Sequence, residues 1–179
     1  MRILIEFYHK NILDNMVAVL GAQPDIVMFY FDPVYFTHTA VYNTYLACRR
    51  YIPRLKLELG TCDSTDFWAV EDKLSRYIRE NAKDEIFIDL TGSNDLAAVA
   101  SYSCSREGKI DLLYSDIRRS RILCINHPEK RYGYHCFEIS DIIEGAGGKI
   151  LSCANGDYLD KNREALESGA QYILENISS

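Results

Sequence analysis

The chain has 179 residues, of which 47% are hydrophobic and 26% are charged, the balance of an ordinary globular protein that can bury a core. Its net charge of −6 argues against a general nucleic-acid or membrane-surface binder, because such proteins present a basic face. No apolar run approaches the ~20 residues that cross a bilayer, and Met1 and Arg2 lead directly into a predicted strand, so we expect a cytoplasmic protein without a secretory signal.

The first part of the chain alternates short apolar runs with amphipathic stretches, which is the pattern of repeated strand–helix units. Strands are predicted over residues 2–8, 26–31 and 55–59, and helices over residues 11–22, 39–51 and 67–78. Asn11 is placed to cap the first helix, and the second helix ends before Pro53. Glu6 is unusual in the first strand, because a carboxylate in a strand covered on both faces needs a partner or an exit to solvent.

The stretch of residues 85–105 contains the clearest candidate for a ligand site. Its apolar run at 86–90 predicts a buried strand, and helical spacing begins at Leu96. A polar turn of four residues, of which Ser93 or Asn94 can cap the helix, lies between them at 91–94. Such a strand–turn–helix presents free N–H groups and a helix dipole to an anion. The alternative is that Gly92 only permits a tight turn and Ser93 only caps the helix.

A fifth strand over residues 110–114 completes a β-α-β-α-β-α-β-α-β pattern, which predicts a parallel sheet with right-handed crossovers. The remainder contains two short apolar stretches around a turn at His127, a short helix and a C-terminal amphipathic helix. These elements lie at residues 121–125, 134–139, 140–145 and 166–177. The two apolar stretches predict an antiparallel hairpin. The predicted fold class is α/β, a Rossmann-like doubly wound, mostly parallel sheet with a C-terminal antiparallel hairpin and helix.

A doubly wound sheet places its ligand site where the chain changes direction between two neighbouring strands. With a strand order of 3-2-1-4-5, that point lies between the carboxyl ends of the first and fourth strands. The ends of the second and fifth strands then lie at the same rim. The residues predicted to bind a ligand are therefore Tyr8, His9, Lys10, Asp32, Thr91, Gly92, Ser93, Asn94 and Asp116.

Several familiar site patterns do not occur in the sequence. The turn after the first strand lacks the G-x-G-x-x-G fingerprint, and there is no G-x-x-x-x-G-K-[ST] phosphate loop. The six cysteines form no C-x-x-C pair, which favours buried free thiols over zinc, and we predict no metal and no cofactor. His9 is the only histidine at the predicted rim and has no evident nucleophile beside it. A basic cluster of Arg118, Arg119 and Arg121 is a second place where phosphates could bind.

Two long patches carry a family resemblance, ILIEFYHKNILDNMVAVLGAQPDIVMFY from Ile3 and FIDLTGSNDLAAVASY from Phe87. They resemble CRISPR-associated Rossmann-fold (CARF) domains, above all those that precede a restriction-type nuclease domain. Residues 89–93 (DLTGS) match the D-L-T-G-G pattern of the family except at Ser93. The early E-F and N-x-x-A-x-L patterns, and GGKIL at residues 147–151, are also similar to the family.

The resemblance implies a homodimer that binds a cyclic oligoadenylate, most often the four-adenosine ring, across its two-fold axis. The loops after the first and fourth strands would face the phosphates. Residues 1–152 would be the ligand-sensing domain, and residues 153–179 a helical extension or a linker to an effector. Full-length relatives carry a C-terminal nuclease domain, for which the residues up to Ser179 leave no room. We therefore expect either a sensor domain cut from a longer protein or a stand-alone sensor.

Three functions are open at this point. The first is a regulatory sensor domain of type III CRISPR antiviral signalling, without chemistry of its own. The second is a metal-independent ring nuclease that opens the bound ring, with His9 or Lys10 supplying a proton or a positive charge. The third is a Rossmann-like protein that binds another nucleotide. We expect neither membrane contact nor direct binding of duplex nucleic acid.

Overall fold

Six strands form one sheet in the computed structural model, which describes residues 1–106 and 110–148. The strands are β1 (Arg2–Phe7), β2 (Ile26–Phe31), β3 (Lys56–Thr61), β4 (Glu85–Asp89), β5 (Ile110–Asp116) and β6 (Arg121–Cys124). The helices are α1 (Ile12–Ala22), α2 (His38–Tyr51), α3 (Phe67–Glu80), α4 (Asp95–Ser105) and α5 (Ile139–Gly145). The sheet order is β3-β2-β1-β4-β5-β6, and all pairs are parallel except β5–β6. The predicted α/β fold class, a Rossmann-like and mostly parallel sheet, and the order 3-2-1-4-5 are confirmed.

Capping side chains set the starts of the helices. The Asn11 carboxamide oxygen accepts a hydrogen bond from the Leu13 N–H (3.2 Å), and that of Asn94 accepts one from the Ala97 N–H (2.9 Å). Thr37 and Asp66 cap α2 and α3 in the same way. Each cap satisfies an N–H group that the helix itself leaves without a partner.

Apolar side chains fill both faces of the sheet, because the central strands are covered on each side by helices. One layer lies under α1 and α2 and includes Leu4, Phe29 and Phe87. The other lies under α3 and α4 and includes Ile5 and Ile88. This double cover explains why β1, β2 and β4 are nearly unbroken apolar runs. Among the described residues, no helix is long and apolar enough to cross a membrane.

The predicted hairpin of residues 121–125 and 134–139 is wrong. β6 pairs instead with β5, in a register that joins Leu113 to Cys124, and the two strands are connected by a short 3-10 helix at Ile117–Arg119. Residues 133–138 form no strand, and the only bridge beyond β6 in the described chain joins Ile122 to Tyr132.

A buried carboxylate explains the different path. Asp111, in β5, accepts hydrogen bonds from the Lys130 ammonium (2.6 Å) and the Tyr132 hydroxyl (2.5 Å). The chain is thereby tied to the start of β5, and His135 then packs edge-on against Tyr51 of α2, with ring centres 4.4 Å apart. These long-range contacts replace strand pairing after residue 132. The predicted C-terminal helix at 166–177 and the domain boundary at 152 lie outside the described residues.

Candidate functional site

The carboxyl ends of β1 and β4 meet at the point where the sheet changes direction. The two strands are in register, with Glu6 opposite Asp89. Beyond them the two turns touch, since a Cβ added to Gly92 would lie 2.6 Å from the Cβ of His9. Real Cβ atoms do not approach so closely, so the contact between the turns requires glycine at residue 92.

A crevice of about 150 Å³ opens at this rim between the ends of β2, β1 and β4. Six of the nine predicted ligand-binding residues line it: Tyr8, His9, Asp32, Gly92, Ser93 and Asn94. The other three, Lys10, Thr91 and Asp116, do not line it. Seven further residues line it that the sequence did not place in the site: Phe7, Tyr30, Phe31, Tyr35, Phe36, Cys62 and Ser64.

The side chains of the β4–α4 turn are already engaged within the protein. The Ser93 hydroxyl donates to the Leu90 carbonyl (2.9 Å), and the Asn94 amide donates to the Ser64 carbonyl (2.9 Å). The backbone N–H groups at residues 92, 94, 95 and 96 have no hydrogen-bond partner among the described residues. These N–H groups are therefore the donors that the turn offers to an anion.

The Thr91 hydroxyl faces inward. It donates to the Asp89 carboxylate (2.7 Å) and accepts from the N–H of Ser115 on β5 (2.8 Å). Thr91 thereby links the ends of β4 and β5 and holds the start of the turn in place. Its hydroxyl proton is already used for that link.

Asp116 lies at the end of β5 and is held by two arginines of the basic cluster. Its carboxylate lies 3.3 Å from Arg119 and 3.1 Å from Arg121. Arg118, the third member, is exposed. The two paired arginines therefore have an acidic partner within the protein, which reduces the positive charge that the cluster presents.

Of the predicted residues after β1, Tyr8 is buried and Lys10 is exposed. The Tyr8 hydroxyl points toward α2, where it donates to the Ala40 carbonyl (3.1 Å) and lies 2.9 Å from the Thr44 hydroxyl. Tyr8 therefore contributes the edge of a buried ring to the crevice. Lys10 is exposed on the turn after β1.

His9 is fixed by the first turn of α1. Its backbone N–H donates to the Asn15 carboxamide oxygen (2.7 Å). Its ring Nδ1 lies 3.3 Å from the Asn11 backbone nitrogen and 3.2 Å from the Asp14 carboxylate. One ring nitrogen cannot accept from Asn11 and donate to Asp14 at the same time. In either arrangement Nε2 makes no hydrogen bond with the described residues, and it is the ring atom left for a ligand.

Two carboxyl groups are buried directly beneath the rim. Glu6 and Asp89 are each 1% exposed. Both Glu6 oxygens and one Asp89 oxygen have no hydrogen-bond partner in the described part of the chain. Burial raises the pKa of Asp89 to about 7, although hydrogen bonds from Thr91 lower it. Burial, together with the charges of Asp89 and Asp14, raises the pKa of Glu6 well above its usual value.

The two raised pKa values keep protons on carboxyl groups near neutral pH. Glu6 was already unusual as a carboxylate in a predicted buried strand, and Asp89 lies opposite it on β4. Within residues 1–106 and 110–148, no group of three or more His, Cys, Asp or Glu side chains is placed to hold a metal ion.

The turn after β2 places a tyrosine at the mouth of the crevice. Asp32 accepts from the Val34 N–H through its carboxylate (2.8 Å) and from the Tyr35 N–H through its carbonyl (3.1 Å). Tyr35 lines the crevice yet is 74% exposed. An Asp-Pro pair such as Asp32-Pro33 is typical of a turn, but it does not indicate the position of the aromatic ring.

Comparison with known proteins gives matches in structure only, since no family model and no curated protein sequence matches the chain. Can2 from Sulfobacillus thermosulfidooxidans, solved in complex with cyclic tetra-adenylate, matches 73% of this chain at 17% identity and a TM-score of 0.63. Enterococcus italicus Csm6, bound to cyclic hexa-2′-fluoro-hexa-dAMP, matches 65% at 16% identity and a TM-score of 0.57. A type III CRISPR defence DNA nuclease activated by cyclic oligoadenylate matches 80% at 15% identity and a TM-score of 0.63.

The matched region is a minor part of each of these proteins. It covers 37% of Can2, 33% of Csm6 and 23% of the DNA nuclease. At these identities the likeness is one of fold. The chain has the fold found in proteins that were solved with a cyclic adenylate or are activated by a cyclic oligoadenylate, in agreement with the resemblance of its sequence to CARF domains.

Proposed function

We propose that this chain is a CARF sensor domain that binds a cyclic oligoadenylate, specifically cyclic tetra-adenylate, in type III CRISPR antiviral signalling. The observation that carries the proposal is the meeting of two turns and two helix starts at one rim. Gly92 brings the β4–α4 turn against His9, so that the N-termini of α1 and α4 lie at the same switch point. Proteins with this fold were solved with cyclic tetra-adenylate and with a cyclic hexa-adenylate analogue.

The free backbone N–H groups supply the attraction for phosphate. Those at residues 92 and 94–96 are left without partners in the described chain, and each exposed helix N-terminus contributes about 0.3–1 kcal/mol to binding an anion. Lys10 adds one exposed positive charge on the turn after β1. The remaining predicted residues then divide into those that face the ligand, such as His9, and those that hold the turns, such as Thr91.

A single copy offers too little room for the ring. The crevice of about 150 Å³ is smaller than the ~300–1,000 Å³ of ordinary small-molecule sites. A cyclic tetranucleotide with two-fold symmetry therefore requires two such half-sites, which a two-fold homodimer would supply.

The exposed face of α4 is the surface that we assign to this dimer contact. Leu96, Val99 and Tyr102 follow one another at helical spacing and are 44%, 58% and 56% exposed. This stripe begins directly after the Gly92 turn, so a second copy packed on it would bring the two phosphate-binding turns close together. An apolar stripe of this kind is typical of an interaction surface.

The domain organisation follows the same proposal. Residues 1–152 form the sensor, and residues 153–179 connect it to an effector, a nuclease domain in the full-length protein. The match to a DNA nuclease activated by cyclic oligoadenylate supports this assignment, since the chain spans only 23% of that protein.

Calorimetry with cyclic tetra-adenylate tests the proposal directly. We expect one ring to bind per two chains, with the complex sedimenting as a dimer, and cyclic hexa-adenylate and linear tetra-adenylate to bind more weakly. Chromatography of the ring after incubation in EDTA should return it intact, as expected for a sensor, whereas cleavage would identify a ring nuclease. If neither ring binds at micromolar protein, the assignment as a cyclic oligoadenylate sensor is wrong.

A further inference from the structure

Tyr35 presents an exposed aromatic ring from a turn whose backbone is held by hydrogen bonds. The other aromatic side chains that line the crevice, Phe7, Tyr8, Tyr30, Phe31 and Phe36, are buried or half-buried. Tyr35 makes no ring contact with the described residues, although its backbone is held by the turn after β2. Its neighbour Phe36 packs edge-on against Tyr8, with ring centres 5.1 Å apart, which anchors the turn from below.

Asp32 in the same turn carries an unused acceptor. One carboxylate oxygen accepts from the Val34 N–H (2.8 Å), and the other has no hydrogen-bond partner in residues 1–106 and 110–148. A carboxylate at this place repels a phosphate, but it accepts well from an amino group. The β2 end of the crevice therefore has the opposite preference from the β4 end, where free N–H groups attract an anion.

The combination of a flat ring and an acceptor suits a nucleobase that carries an exocyclic amine. Aromatic side chains stack on bases through the π-face that every base has. Adenine presents its N6 amino group as a donor and thus differs from hypoxanthine, which has a carbonyl there. Resting on the proposed function, we infer that Tyr35 stacks on an adenine of the bound ring and that Asp32 accepts a hydrogen bond from its N6 amino group.

The crevice then has two chemically distinct ends. The Gly92 turn holds a phosphate, and the Tyr35 turn holds the neighbouring base. The base-binding end gives selectivity for adenine, which the phosphate-binding end cannot give because every nucleotide carries the same phosphate.

Titration of cyclic tetra-adenylate into single variants tests the stacking. Tyr35→Ala should weaken binding by about 5- to 150-fold for each stacked base that is lost. Tyr35→Phe should bind within about threefold of the parent protein, since stacking does not need the hydroxyl. Tyr42→Ala is the matched control, because Tyr42 is an exposed tyrosine on α2 that does not line the crevice. It should leave the affinity unchanged.

A fluorescent variant reports the contact itself. Trp68 is the only tryptophan in the sequence, so Trp68→Phe combined with Tyr35→Trp leaves one indole, at the crevice. Cyclic tetra-adenylate should quench its emission through stacking on adenine. Unquenched emission from the saturated complex would overturn the inference, as would a Tyr35→Ala protein that binds as tightly as its parent.

Cyclic tetra-inosinate tests the role of Asp32. The parent protein should bind it at least about tenfold more weakly than cyclic tetra-adenylate, because the amine that donates to Asp32 is replaced by a carbonyl. Asp32→Asn keeps the acceptor for the Val34 N–H and adds a donor, so the ratio between the two rings should fall toward one. An unchanged ratio overturns the inference for Asp32. If the parent protein binds neither ring, the proposed function itself fails.

Discussion

The buried carboxyl of Asp89 should make the protein less stable as the pH rises toward 7. Its pKa is about 7 in the folded protein and about 3.9 in an unfolded chain. Between these values the folded state holds a proton that the unfolded state has released. The contribution of Asp89 to stability is therefore fully present below about pH 4 and is lost as the pH rises through 7.

The substitution Asp89→Asn removes this dependence while keeping the shape of the side chain. The two pKa values differ by roughly three units, and one unit corresponds to about 1.36 kcal/mol, so the loss amounts to roughly 4 kcal/mol above pH 8. The amide oxygen can still accept from Thr91, which now donates to the carboxylate. The new amide nitrogen replaces an oxygen that has no partner in the described residues, which costs about 1–3 kcal/mol at every pH.

Urea denaturation at about pH 5, 6, 7 and 8 measures the difference between the two proteins. The free energy of unfolding of Asp89→Asn minus that of the parent protein should increase by about 1.4 kcal/mol per pH unit between pH 5 and 7. The loss of the Asp89 charge also lowers the pKa of Glu6, which changes the slope in the same direction. Asp72→Asn, at an exposed aspartate of α3, should show no such slope. A constant offset between Asp89→Asn and the parent protein would refute the reasoning.

Three further predictions concern the rim and the proposed dimer. Gly92→Ala should lower the stability by about 1–3 kcal/mol and weaken cyclic tetra-adenylate binding at least tenfold, because its Cβ would displace His9. In the control Gly133→Ala, thermal melts and calorimetry should show the stability and affinity of the parent protein, since nothing lies within 4 Å of a Cβ there. Val99→Asp should give a monomer in sedimentation at micromolar concentration with unchanged circular dichroism. If the variant remains a dimer, the dimer interface does not include α4. Between 50 and 200 mM salt the affinity for cyclic tetra-adenylate should fall by about tenfold or less, whereas that of a polybasic site falls ~10³–10⁵-fold. Lys10→Ala should make the affinity still less dependent on salt. A steeper fall would indicate that the arginine cluster binds the ligand.

The sheet and the turns of the site could be predicted because their causes are local. Alternating apolar runs and amphipathic stretches determined the strands and helices, and right-handed crossovers restricted the order of the parallel strands. Asn11 and Asn94 could be read as caps because a cap acts on the residues that follow it directly. Gly92 could be singled out for the same reason, although the residue that requires it, His9, lies on another strand end.

The remaining features depend on partners that are distant in sequence. Residues 134–139 have the composition of a strand, but the contacts of Lys130 and Tyr132 with Asp111 divert the chain before pairing can begin. The Thr91 hydroxyl looked like a ligand donor, and the N–H of Ser115 on the neighbouring strand accounts for its inward orientation. No periodicity encodes such pairings, so the direction of a side chain at the end of a strand could not be derived.

The carboxyl groups around the rim explain how an acidic protein can present the proposed anion site. Glu6 and Asp89 are buried beneath the turns, and burial raises the pKa of each, that of Asp89 to about 7, so near neutral pH both carry less negative charge than exposed carboxyl groups would. Asp14 lies against His9, and Asp116 lies against two arginines. The net charge of −6 is therefore a poor guide to the field at the Gly92 end of the rim, because these four acids are partly protonated or paired. Asp32, at the β2 end, keeps an oxygen without a partner in the described residues. The unpaired N–H groups of the turns then determine the local preference, and they favour phosphate.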